Sequence, residues 1–175
     1  MGDKQGFWSD PLAPEPKRAY RWLMYLGNSL VPQWVVKSVS KPSFTVSETE
    51  HKFLNHTFWY PGKVAWNAVE VTLVDPVTPD ASLLVMDILA RSGYGFPTTL
   101  NNASFTITKA NATAAMGSVK IEQIGVNKDD VLDAFVLKNA WVQDAKFGDL
   151  SYESDDMVEI SLTLRYDWAE ITAFK

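Results

Sequence analysis

The segment DMVEISLTLRYDW, residues 156–168, sets Val158, Ile160, Leu162, Leu164, Tyr166 and Trp168 on one side of an extended chain. Met157, Glu159, Ser161, Thr163, Arg165 and Asp167 fall on the other side. Side chains of a strand point alternately to opposite faces, so this segment predicts a strand with one oily face and one mostly wet face. Such a strand has to join a sheet and bury its oily face against a second layer. What the wet face looks at, whether open solvent, a substrate or an enclosed space, is the functional question.

Other segments fit the same kind of sheet. RAYRWLMYL (18–26) and QWVVKSVS (33–40) predict a first and second strand, with Gly27-Asn28 between them, and Pro42 ends the second because it has no N–H for the ladder. VKIEQIG (119–125) and AFVLKNAWVQDAKFG (134–148, with a bend) predict two more. Residues 43–74 predict a long hairpin: SFTVSETEHKFLNHTFWY and KVAWNAVEVTLV flank YPGK, where Pro61-Gly62 suits the centre of a type II turn. An arm of about 15 extended residues spans on the order of 50 Å, whereas a domain of this size has a radius of gyration of roughly 16 Å. The hairpin therefore overhangs its own domain, and an overhanging ribbon invites pairing with another chain.

One helix is expected over 79–92. Thr78 suits its N-cap, Pro79 its first position and Gly93 its C-cap, while Ala81, Leu84, Val85, Ile88 and Leu89 form a core-facing stripe. Residues 93–117 read as loop with one short strand candidate, SFTIT, and residues 1–17 as an extended, proline-rich N-terminal arm. The expected fold is a single mainly β domain over 1–175, an antiparallel β-sandwich or barrel with one flanking α-helix and a long protruding β-hairpin.

Composition narrows the chemistry. The 175 residues hold no cysteine, which removes disulfides, thiolate metal sites and cysteine nucleophiles. A formal charge of −5 argues against a surface that grips nucleic acid. Carboxylates crowd residues 129–159 (Asp129, Asp130, Asp133, Asp144, Asp149, Glu153, Asp155, Asp156 and Glu159), read either as a solvated surface or as a face that repels a polyanion. No stretch approaches the roughly 18 apolar residues of a membrane span. The N-terminus has no apolar signal-peptide region, so the expected site of assembly is the cytoplasm of the cell that makes it.

The two histidines, His51 and His56, are five residues apart in an arm read as extended, which would send them to opposite faces and prevent joint metal binding. Glu48 and Glu50 share a face but sit beside Lys52 on an exposed arm. The glycines lie singly, without a phosphate-cradling loop. No catalytic residue, cofactor or metal is expected, and the chain reads as a non-enzyme. The aromatic residues near the hairpin turn, Phe53, Phe58, Trp59, Tyr60 and Trp66, are instead candidates for an inter-subunit interface, because large aromatics gain most by burial in a partner.

The order of these features resembles the tail tube proteins of contractile-tailed bacteriophages. The echoes are VVKSVSKPSFTVSETE, a short strand running through a proline into the hairpin; WNAVEVTLVD, the returning arm; VKIEQIGV; and EISLTLRYDW near the C-terminus. Together they cover about residues 18–170. The resemblance implies rings of six copies that stack into a hollow tube inside a contractile sheath, with the hairpin touching neighbouring subunits. It implies the sheath, baseplate and tail-terminator proteins as partners, a place in the virion tail, and viral DNA passing through the lumen without specific binding. Tube initiator rings and the tubes of type VI secretion and other contractile injection systems share the architecture. The competing reading from the residues alone is a small, monomeric β-barrel enzyme or carbohydrate-binding module using exposed Trp and Tyr side chains.

Overall fold

The computed structural model describes residues 16–27 and 31–173. The expected arm thus lies, through residue 15, outside the described residues. The elements run β1 (Trp22–Leu26), β2 (Val36–Val39), β3 (Phe44–Phe53), β4 (His56–Trp66), β5 (Val69–Val74), α1 (Ala81–Arg91) and α2 (Lys109–Met116). They continue with β6 (Val119–Ile124), β7 (Val131–Lys138), β8 (Trp141–Lys146), β9 (Glu159–Arg165) and β10 (Trp168–Ala173). One sheet has the order β1-β6-β7-β10 and a second β2-β5-β9-β8, while among the described residues β3 and β4 pair only with each other. All pairings are antiparallel. The expected mainly β sandwich is present.

The alternation that defined the C-terminal strand explains how the sheets meet. Ile160, Leu162 and Leu164 of β9 are buried, as are Val69, Val71 and Leu73 on their partner β5. Met24, Val119, Ile121 and Leu137 supply the facing layer from the first sheet, and Val85 and Ile88 of α1 close one side. Burying about 25 cal/mol per Å² of apolar surface at such positions is the main favourable contribution to folding.

Two long segments cross between the sheets. The bend expected within 134–148 falls at Asn139, which takes a φ of 55° and divides β7 in the first sheet from β8 in the second. Residues 156–168 likewise divide after Arg165, so that β9 lies in the second sheet and β10 in the first. Trp168, expected on the oily face, lies beyond this corner and is 43% exposed. Asp167 ties both crossings together. Its carboxylate accepts hydrogen bonds from Asn139 Nδ2 at 2.7 Å and from Lys109 Nζ at 2.7 Å, and its N–H donates to the Lys138 carbonyl at 3.0 Å. Lys109, and Asn139 beside it, hold the Asp167 carboxyl below its ordinary value.

The helices differ from expectation in number and start. The helix foreseen over 79–92 spans Ala81–Arg91 with Asp80, not Thr78, as N-cap: Asp80 accepts from the Leu83 N–H at 2.9 Å. Asp75 accepts from the Ala81 and Ser82 N–H groups and from the Ser82 hydroxyl, so carboxylates satisfy the orphan donors of the first turn. The described residues hold two α-helices rather than one. Within 93–117, Thr108 caps α2 by accepting from the Asn111 N–H at 3.2 Å, and Gly117 at φ 66° ends it. The strand candidate SFTIT is not a strand, and Phe105 and Ile107 are exposed. Helix propensity in KANATAAM, with four alanines, outweighs the β-branched residues just before it.

Replacing Leu162, 2% exposed, by aspartate puts an unpaired carboxylate into the core at a cost of several kcal/mol. Leu162→Asp is expected to be insoluble. Ser161→Asp should remain folded, because Ser161 is exposed and registers opposite Lys146; thermal unfolding of the soluble fraction checks both. Asp167→Asn should lower the melting temperature at pH 7 by about 2–4 °C, as loss of about 1 kcal/mol would. Because the folded carboxyl titrates below its unfolded value, its contribution is present above the unfolded value and lost as pH falls through the folded one. The gap between Asp167→Asn and the parent should therefore close in melting curves below about pH 4.

Candidate assembly surfaces

The hairpin is built differently from its turn signature. The chain reverses at Leu54-Asn55, between β3 and β4, with Leu54 at a φ of 52°. Pro61-Gly62, the expected turn, lies inside β4. There the register slips between the Val46–Val64 pair and the Glu48–Pro61 pair, so Ser47 faces two residues, Gly62 and Lys63. That is a β-bulge, which bends a strand and increases its twist. The Lys63 N–H donates to Ser47 Oγ at 2.8 Å, and a Cβ on Gly62 would stand 2.3 Å from that oxygen, so a larger residue there would push the Ser47 hydroxyl out of this hydrogen bond. The hairpin is consequently shorter than 43–74: β3–β4 ends at Trp66, and residues 69–74 belong to the second sheet as β5.

At its base the ribbon is anchored. Trp66 meets Phe44 edge-on at 5.4 Å and Tyr166 at 6.0 Å, and the Asn67 N–H donates to the Ser43 carbonyl at 2.9 Å. Tyr166 is buried, which pushes its phenol up in pKa against the lowering effect of the Ser43 backbone and Arg165. Trp66 thus packs on the protein's own core. Beyond it, every residue from Phe44 to Ala65 is exposed. Phe53 (61%), Phe58 (50%), Trp59 (59%) and Tyr60 (58%) retain at least half their surface. A strand of ten residues spans about 33 Å, so the ribbon reaches well past the core.

The turn position also changes the histidines. His51 registers with Phe58, and His56 with Phe53. Directly opposed residues share a face, as do residues two apart, so His51 and His56 lie diagonally on one face rather than on opposite faces. Among the described residues no group of three His, Asp or Glu side chains could hold a metal.

A second surface answers the question raised by the alternating strand. The wet residues of β9 continue across the second sheet: Thr163 registers with Glu70 on one side and Asp144 on the other, and Ser161 with Thr72 and Lys146. Lys37 pairs with Glu159. The charges on this outer face balance, with Lys37, Lys146 and Arg165 against Glu70, Asp144 and Glu159. The carboxylates of 129–159 therefore do not form one face. Asp133 is buried beside Lys17, Asp129 and Asp130 sit in the β6–β7 turn, and Asp149, Glu153, Asp155 and Asp156 are exposed in the loop before β9. Among the described residues the two edges of this sheet, β2 and β8, pair on one side only. A groove of about 360 Å³ beside β8 is lined by Val85, Met86, Leu89, Trp141 and Phe147.

No protein-family model matches the chain, and no curated protein matches it in sequence. Solved structures do. A chain in the cryo-EM structure of the anti-feeding prophage tube-terminating cap is 20% identical with a TM-score of 0.65, the match covering 95% of this chain and 97% of that one. A chain in the sheath–tube complex of the extracellular contractile injection system PVC is 18% identical at a TM-score of 0.58, covering 91% and 93%. The SPP1 tail tube is 14% identical at 0.51, covering 91% and 80%. The fold implied by the sequence resemblance, that of tail tube proteins, is the fold of this chain.

Because the distal ribbon is exposed, replacing residues 50–59 by Asn-Gly, which closes a two-residue hairpin, should leave the domain folded. Circular dichroism should show a melting temperature within about 4 °C of the parent, a change of about 1 kcal/mol. Unfolding of the shortened chain would mean that the tip packs on its own core.

Proposed function

We propose that the protein is a structural subunit of a tail tube. Six copies close into a ring, rings stack inside a contractile sheath, and the tube conducts viral DNA into the host. The observation that carries this reading is the polar outer face of the second sheet, bounded by two open edges. If β2 of one copy pairs with β8 of the next, the second sheets close into a wide barrel and that sheet keeps no edge. The oily faces then stay inside each sandwich, and Glu70, Ser161, Thr163 and Arg165 look into a water-filled channel. With balanced charges, this lining gives DNA little counterion-release attraction, while the carboxylates of the loop before β9 keep the mouth acidic.

In this reading Phe53, Phe58, Trp59 and Tyr60 reach a neighbouring subunit, and Trp66 steers the ribbon from its base. Sheath, baseplate and terminator proteins are the partners, and the virion tail is the location. A second reading, a terminal ring, draws on chains of the same fold in the cap structure and in the anti-feeding prophage baseplate structure, the latter at a TM-score of 0.65. The same arrangement would serve a bacterial injection system, whose tube carries protein instead of DNA.

Electron microscopy of the purified protein at rising concentration tests the proposal. Stacked rings are expected, a terminal ring would stop at single rings, and a binding module would stay monomeric. The chain shortened at 50–59 should form fewer or no stacks. Long tubes from that variant would remove the hairpin from the stacking contact.

A further inference from the structure

The two ends of β9 differ in charge. Where β9 begins, the β8–β9 connection carries Asp149, Glu153, Asp155 and Asp156 around Tyr152, and every residue from Lys146 to Met157 is exposed. Among the described residues none of these four carboxylates meets a cation. The loop is nonetheless shaped from within: Ser154 Oγ donates to the Asp156 carboxylate at 2.7 Å and accepts from the Asp156 N–H at 3.2 Å. Where β9 ends, a pocket of about 560 Å³ opens beside the hairpin base, walled by Trp66, Ile107 and Trp141 and rimmed by Lys109, Arg165 and Asp167. Two cations there stand with one carboxylate, which Lys109 and Asn139 already hold. Arg165 has no ion pair among the described residues. One end of the strand thus offers an aromatic ring set among carboxylates, and the other an aromatic-walled pocket with a positive rim.

Resting on the tube reading, we propose that Tyr152 of one copy enters the Trp66–Trp141 pocket of a copy in the adjoining ring, its loop carboxylates Asp149 and Glu153 meeting Lys109 and Arg165. The seven residues of β9 hold loop and pocket about 20 Å apart within one copy. Strands of a closed barrel tilt from its axis by about 35–45°, so the two ends of β9 lie on opposite rims of a ring. Rings stacked in one direction then bring the loop rim of each to the pocket rim of the next, a heterologous contact that repeats without limit. Charge selects this arrangement. An inverted ring would set loop against loop, carboxylates against carboxylates, which is unfavourable. A tyrosine gains by burial of its ring while its hydroxyl keeps a polar partner at the pocket rim. The contact therefore gives the tube its single direction, and only the ring at one end keeps its acidic loops free. It uses none of the aromatic residues at the hairpin tip.

The test measures stacking of the intact protein by sedimentation and electron microscopy, with circular dichroism confirming the fold of each variant. Tyr152→Ser and Arg165→Glu should each lower apparent association of rings at least tenfold while single rings persist. Adding Asp149→Lys and Glu153→Lys to Arg165→Glu should restore it to within threefold of the parent. Proximity is read separately, since the chain has no cysteine. Ser151→Cys and Ile107→Cys proteins, assembled as a mixture and treated with a short bis-maleimide, should give at least tenfold more covalent dimer than either alone. Stacks that form equally well with Arg165→Glu, or a mixture that yields no more dimer than its components, overturn the proposal and leave the tube reading intact. A parent protein that forms neither rings nor stacks overturns both.

Discussion

A two-stranded ribbon with nothing on either face is the least stable unit of β structure in water. This chain devotes β3 and β4 to one and leaves every residue from Phe44 to Ala65 exposed. The rest of the molecule is arranged around that liability. The Ser43–Asn67 hydrogen bonds and the Phe44–Trp66–Tyr166 contacts hold the ribbon's root to the sandwich. The Ser47–Gly62 bulge then changes which side is oily. A ribbon fixed so firmly at its base and so bare at its end is understandable as half of a contact.

The sandwich presents its own unsatisfied features on the second sheet. Two corners carry the chain between layers, and both rest on Asp167, which joins Asn139, Lys138 and Lys109. Because β7 runs into β8 and β9 into β10 at this corner, the second sheet is held in a fixed position relative to the first. Its edges β2 and β8 and its polar outer face are presented together. Fixed edges would suit the proposed ring, since a small angular error at each contact would prevent closure.

Much of this was legible in the sequence. The alternation of 156–168 located the buried residues Ile160, Leu162 and Leu164, and the capped stripe located α1 to within two residues at its start. Local signals failed where a longer-range term decided. Pro61-Gly62 has the chemistry of a turn and Leu54-Asn55 has little of it, but pairing from Phe44–Trp66 through Phe53–His56 gives a longer ladder when the chain reverses at Leu54. The glycine signal was real; it marked a bulge. The misplaced turn also put His51 and His56 on opposite faces and offered Trp66 as a free anchor. The splitting of 134–148 and 156–168 between sheets was hidden because period-two alternation continues through a corner. α2 was missed because the loop composition of 93–117 masked an eight-residue helix with a Thr cap.

The chain lacks cysteine, so one introduced thiol reports on one place. Ser161→Cys puts that thiol on the wet face of β9, which becomes the wall of a channel in the proposed tube. In assembled protein, the thiol should react with a small maleimide and be closed to a maleimide carried on a large protein; dissociated subunits should react with both. Equal reaction of assembled and dissociated protein with the large reagent would place this face on the outside and rule it out as a channel wall.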